Sequence, residues 1–217
     1  MVKKKANQQT TPKELELWTG LEGKVKFEHI LKPDEDYGDK YKLTLVIDPD
    51  ESENNSKFID EIESLTLKTK EYYEKEGLSC DILASPIKKI GKQTRITLHT
   101  NSVKKVDGEY IKIKPIIILN DVKFNYSESP EEYENLLDMF KENILEDIQK
   151  KKPNAKLDDV KFIFANKDVY CGVTLIGYRM NVHEDKWRYG VSARLAYISI
   201  KDDSFDVKES NGTKDEE

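Results

Sequence analysis

Cysteine is scarce. Cys80 and Cys171 are the only two in 217 residues and stand far apart, so no disulfide framework braces the chain, and both thiols read as small buried hydrophobes suited to a reducing compartment. Histidine is as sparse: His29, His99 and His183 are isolated, with no H-E-x-x-H and no Cys-x-x-Cys, which leaves no ligand spacing for zinc. Neither G-x-S-x-G nor a Walker sequence occurs, so nothing marks a nucleophile elbow or a phosphate loop. Long apolar runs are missing too. Nothing approaches the roughly 20 residues of a membrane helix, and the charged start MVKKKANQQTTPKE lacks the apolar stretch of a secretory signal. The expectation is a cytoplasmic protein with no cofactor, no metal, no membrane contact and no catalysis. A metal-dependent nuclease would have to use the Asp-rich stretches PDEDYGD and IDPDESE, but these lack paired-metal spacing and read as solvated turns.

A basic excess is also absent: the net charge is −6. That average hides a division. Between Lys88 and Lys114 stand eight bases and two acids, whereas Glu128 to Asp159 holds ten acids and five lysines. Residues 202–217 carry seven acids against Lys208 and Lys214, a formal charge of −5, so the body without this stretch is almost neutral. A polyanion on a tether can compete with nucleic acid for a basic surface or present itself to basic partners.

What is present is short-period alternation. Residues 1–14 are polar and basic and read as an arm. From Gly23 to Lys32, Val25, Phe27 and His29 alternate with Lys24, Lys26 and Glu28, the mark of a half-buried strand. PDEDYGDK then turns the chain into YKLTLVID, with Tyr41, Leu43, Leu45 and Ile47 in one phase; the two segments make a hairpin. Phe58, Ile62, Leu65, Thr69 and Tyr72 step by three and four along a helix that Gly77 ends. Strands return at Gln93–Thr100 and, after the Asp107-Gly108 turn, in YIKIKPIIIL, where Pro115 requires a free edge or a bulge. Ser129-Pro130-Glu131-Glu132 opens a second helix, with the serine as capping side chain, running to Pro153. Strands follow at Val160–Ala165, Val169–Asn181 and Tyr189–Lys201. The expected architecture is α+β: an antiparallel barrel over 15–201 with a helix after the second strand, a helical insertion at 128–153, and an acidic tail at 202–217.

Binding of single-stranded nucleic acid needs cations for phosphates and flat rings for bases. Basic and aromatic residues are interleaved at Lys24-Val25-Lys26-Phe27, Lys40-Tyr41-Lys42, Tyr110-Ile111-Lys112, Tyr178-Arg179 and Lys186-Trp187-Arg188-Tyr189. Phe27 and Tyr41 share the phase of apolar neighbours and are assigned to the core; Tyr37, Trp187 and Tyr189 lie in polar connections and are assigned to contacts.

With these residues in view, the chain resembles the single-stranded DNA-binding protein of bacteriophage replisomes, the T-odd podophage type and its more distant phage relatives. The resemblance rests on Lys32-Pro33-Asp34, YKLTLVI ahead of the first helix, VTLIGYRMN, GVSARLAYISI and the acidic end, and it spans most of residues 20–217. It implies a five-stranded OB-fold, sequence-tolerant binding of single-stranded DNA in replication and recombination, annealing of complementary strands, and a tail that shields the DNA groove and contacts replication proteins such as polymerase or helicase-primase. Tyr178, Arg179 and Asn181 fall on matching positions. Met180 stands where the podophage pattern favours tryptophan, with Trp187 as its substitute, and the terminal aromatic of that pattern is absent, Phe205 being the one ring in the tail. The candidate DNA-binding residues are Tyr37, Lys42, Arg95, Lys112, Tyr178, Arg179, Trp187 and Arg188, and free barrel edges allow a homodimer. The competing reading is a β-barrel protein-interaction module without nucleic-acid specificity.

Overall fold

The computed structural model describes residues 12–28, 41–50, 52–100, 102–106, 109–183 and 186–200. Eleven strands and two helices run in the order β1 (Glu16–Glu28), β2 (Lys42–Ile47), α1 (Glu53–Lys75), β3 (Ile82–Ala84), β4 (Ile87–Ile90), β5 (Gln93–His99), β6 (Ser102–Val106), β7 (Glu109–Ile113), β8 (Ile116–Leu119), β9 (Val122–Phe124), α2 (Pro130–Gln149), β10 (Asp168–His183) and β11 (Lys186–Ile200).

Five of these strands close a barrel. β1 pairs antiparallel with β2 and with β10, β2 with β5, and β10 with β11. A parallel bridge between Arg194 of β11 and His99 of β5 completes the ring, so the barrel is mixed rather than wholly antiparallel. Its interior is lined by alternate residues such as Leu21, Val25, Leu43, Leu45, Ile96, Leu98, Val173 and Leu195, all fully or almost fully buried. Period-two alternation aims such residues at one face, and closure leaves the intervening ones on the outside.

β1 breaks that alternation. Its pairing with β2 shifts register between Val25 and Phe27, and a bulge of this kind puts two consecutive residues on the same side. Lys26 and Phe27 both face out, with Phe27 44% exposed, and Glu28 turns inward and is fully buried. The core assignment of Phe27 is therefore corrected. Tyr41 is half-buried, and His29 lies outside the described residues.

α1 buries Phe58, Ile62, Leu65, Thr69 and Tyr73, so the stripe ends on Tyr73 where the spacing had suggested Tyr72. It packs against β1, β10 and β11, and Gly77, at φ +71°, ends it in the left-handed region.

Three further expectations change. YIKIKPIIIL is not one strand: it divides at Lys114-Pro115, β7 joining β6 in a two-stranded ribbon and β8 running parallel to β11. Proline lacks the ladder donor, so the division falls where the sequence placed its defect. Val160–Ala165 forms no strand, because a 3₁₀ turn at Leu157–Asp159 leads into irregular chain that buries Val160, Ile163 and Phe164. Ser129 occupies the N-cap of α2 but makes no side-chain cap bond; its carbonyl accepts from the Tyr133 N–H at 3.2 Å.

α2 is tied to the barrel by side chains. Tyr133 Oη donates to the Pro115 carbonyl at 3.0 Å, and Phe140 meets Phe164 edge-on at 5.4 Å between centroids. Glu28 secures the returning chain, its two carboxylate oxygens accepting the Ile163 and Phe164 N–H groups at 2.7 and 2.6 Å.

Candidate nucleic-acid interface

The outer face of β2 and β5 carries cations in register. Lys24 lies opposite Val46, Val46 opposite Arg95, and Arg95 opposite Lys88 of β4, so one row across four strands presents three basic residues. Lys24 and Lys88 are exposed and Arg95 is half-buried. Arg95 donates through Nε and Nη2 to Gln93 Oε1 at 3.3 and 2.9 Å, which fixes its guanidinium without neutralising it. Among the described residues none of the three forms an ion pair. Like charges directly opposite on paired strands destabilise a sheet, so folding alone gives no reason for Lys88 beside Arg95. A second row places Lys42 opposite His99.

The far end of the β10–β11 hairpin holds the other cluster. Tyr178 pairs with Gly190, Arg179 with Tyr189, Met180 with Arg188 and Asn181 with Trp187. The Arg179 guanidinium lies 3.5 Å from the Trp187 ring centroid, and its Nε donates to the Ser79 carbonyl at 2.9 Å. The Trp187 backbone N–H donates to Asp81 Oδ2 at 2.9 Å. One face of the indole is thus covered by a cation, worth roughly 0.5–2 kcal/mol, and Arg179 serves here to hold the ring. Tyr178, Trp187, Arg188 and Tyr189 are half-buried; burial raises the Tyr178 hydroxyl pKa, with the Arg188 charge opposing it. Gly190, at φ +153°, lies against the Ala84 carbonyl where β3 joins β11, and a β-carbon there would come within 1.9 Å of that oxygen.

The candidate residues therefore form two groups. Lys42 and Arg95 lie on the β2–β5 face, and Tyr178, Arg179, Trp187 and Arg188 gather at the hairpin. Lys112 is on β7, in the separate ribbon. Tyr37 lies outside the described residues, as do Lys32-Pro33-Asp34 and the 202–217 tail. Lys114, counted among the bases, is engaged: it pairs with Glu134 and sits 4.1 Å from the Tyr126 ring centroid.

Sequence reasoning missed a third set of rings. Trp18 on β1, Tyr170 on β10 and Tyr197 on β11 sit side by side on the outside of the barrel, Tyr197 being 6.1 Å from Trp18 and 6.0 Å from Tyr170, each pair tilted by 34°. The signal was available: Leu15, Leu17, Thr19 and Leu21 alternate, which extends β1 back to the start of the barrel and puts Trp18 in the outward phase.

No protein-family model matches the chain, and no curated protein sequence does. Solved structures do match. Gp2.5, a single-stranded DNA-binding protein encoded by bacteriophage T7, superposes with a TM-score of 0.56 at 15% identity, covering 91% of this chain and 97% of that one. The barrel is an OB-like fold. The single-stranded DNA-binding protein from bacteriophage Enc34, in complex with single-stranded DNA, aligns at a TM-score of 0.45 and 16% identity over 90% of both chains. The likeness to gp2.5 agrees with the strand order, with α1 following β2, and with the five-stranded ring described above. Among the described residues no helix is long and apolar enough to cross a membrane.

Proposed function

We propose that this protein binds single-stranded DNA without sequence preference and performs no chemistry on it. OB-folds take oligonucleotides on the face of their second and third strands and on the loops after strands one and four. Here that face is β2 and β5, and the chain that follows the first and fourth barrel strands is residues 29–41 and 184–185, which apart from Tyr41 lie outside the described residues. The observation that carries the reading is the unpaired basic row Lys24–Arg95–Lys88 on that face, with the Arg179–Trp187 stack at the neighbouring hairpin. Lys42, Arg95, Arg188 and Lys112 would neutralise phosphates, and Tyr37, Tyr178 and Trp187 would stack bases, with Arg179 orienting the indole. The 202–217 tail would compete for the same surface and recruit replication proteins in phage DNA replication and recombination.

A fluorescence titration of the full chain with poly-dT, set against duplex of equal nucleotide concentration at matched salt, tests this. Quenching by the single strand and little response to duplex is the expected result. Equal responses, or none, would favour the protein-interaction module instead.

A further inference from the structure

The Trp18–Tyr170–Tyr197 set is not used by the binding face just described, and its construction is unusual for rings that merely cover a sheet. Each tyrosine lies on a glycine. A β-carbon on Gly172 would come within 2.1 Å of the Tyr197 ring, and one on Gly20 within 2.2 Å of Tyr170 Oη. Tyr197 thus rests its ring directly on the Gly172 backbone, and Tyr170 its hydroxyl end on that of Gly20, which seats the neighbouring pair on the sheet. Trp18 is 58% exposed. Tyr170 and Tyr197 beside it are half-buried, and apolar rings that reach the surface together in one patch mark an interaction site more often than rings scattered singly.

A cation stands next to the patch. Trp18 is opposite Thr174, and Thr174 is opposite Arg194. Arg194 is exposed and has no ion pair among the described residues. It lines a cavity of about 250 Å³ together with Thr100, Lys114, Asn125 and Ser127. Lys114 is already held by Glu134, so Arg194 supplies the available charge.

We propose that the outer face of β1, β10 and β11 is a second track for single-stranded DNA, where Tyr197 and Trp18 stack bases and Arg194 takes a backbone phosphate. The proposal rests on the single-stranded DNA reading above and lengthens the path of the strand. A single register row joins the two faces, running from Lys42 through His99, Arg194 and Thr174 to Trp18. Sequence tolerance suits this site, since every base offers a π-face. A second copy of the chain suits it less: a stable dimer buries about 800 Å² per partner, and three rings already lying on the sheet fall short of that.

The test uses the two tryptophans separately. In full-length Trp187→Phe, Trp18 is the only tryptophan; a long oligothymidylate should quench it, whereas inorganic phosphate at equal ionic strength should not. Tyr197→Ala should weaken binding by roughly 5- to 150-fold, the range for one lost stack. Arg194→Gln, which leaves the core untouched, should lower the salt slope of binding by about 0.7. If Trp18 stays silent while Trp187 responds in Trp18→Phe, single-stranded binding stands and the second track is overturned. If neither responds and a labelled oligonucleotide shows no binding, both readings fall. Trp18 emission that follows protein concentration and ignores DNA would assign the patch to a second copy and overturn the proposal, as would a response to phosphate alone.

Discussion

The Glu28 carboxylate is enclosed by the barrel end and the returning 163–164 chain, and its two oxygens take two backbone N–H groups. Burial outweighs those donors and pushes its pKa up to about 7. The folded state thus binds this proton more tightly than the unfolded chain does. Stability from this group is complete below pH 4.5 and is lost as pH rises to about 7, by up to roughly 3 kcal/mol. Glu28→Gln cannot titrate, so the difference in unfolding free energy between wild type and variant should shift across pH 4.5–7 and be flat above it. Urea unfolding at a series of pH values checks this; a difference that stays constant through the window would show that Glu28 does not titrate there. Lys88 offers a second residue-scale prediction. Lys88→Glu replaces a like-charge cross-strand neighbour of Arg95 with an opposite one, and should stabilise the fold by about 0.2–1 kcal/mol while weakening single-stranded DNA binding. A thermal melt beside a binding titration reads both. At this scale the sequence was readable wherever alternation ran unbroken, as at Leu43, Leu45 and Ile47. It misled at Phe27 and Glu28, because a one-residue bulge inverts every face beyond it and leaves no compositional mark.

Elements were more legible than residues. Both helices were marked by apolar spacing and by Gly77 or Pro130, which are local signals. The split of 109–119 into β7 and β8 was foreshadowed by Pro115, but the separate partners of its halves are a matter of distant chain. Val160–Ala165 has the apolar content of a strand, yet the Ile163 and Phe164 N–H groups go to Glu28, 135 and 136 residues away in sequence. No window of local sequence contains that bond. α2 depends on the same segment through Phe140 and Phe164. Phe140→Ala removes a fully buried ring and should cost about 3–5 kcal/mol. The loss should appear as a lower urea midpoint, with the affinity of the remaining folded protein for poly-dT unchanged, because α2 carries none of the proposed contacts. A parallel fall in affinity measured well below the midpoint would instead tie α2 to the binding face.

For the molecule as a whole, barrel closure was the least readable feature. It rests on one parallel bridge, Arg194 to His99, between segments whose patterns are ordinary strands. Charge was the most readable. The body is close to neutral because its basic rows are balanced by acids elsewhere, so long-range attraction to DNA is weak and the local rows must act at short range. A tail of charge −5 is then a large perturbation. Within a Debye length of about 10 Å at 0.1 M salt it can occupy the same potential that draws phosphates, whereas at 1 M that length falls to about 3 Å. Deleting residues 202–217 should tighten poly-dT binding by roughly tenfold at low salt, and the gain should shrink steadily as salt is raised. A titration of both proteins across salt concentrations measures the gap. Curves that coincide at low salt would show that the tail does not compete for the DNA surface. Curves that stay parallel at every salt would show that its effect is not electrostatic, since screening must close a gap that charge alone opened.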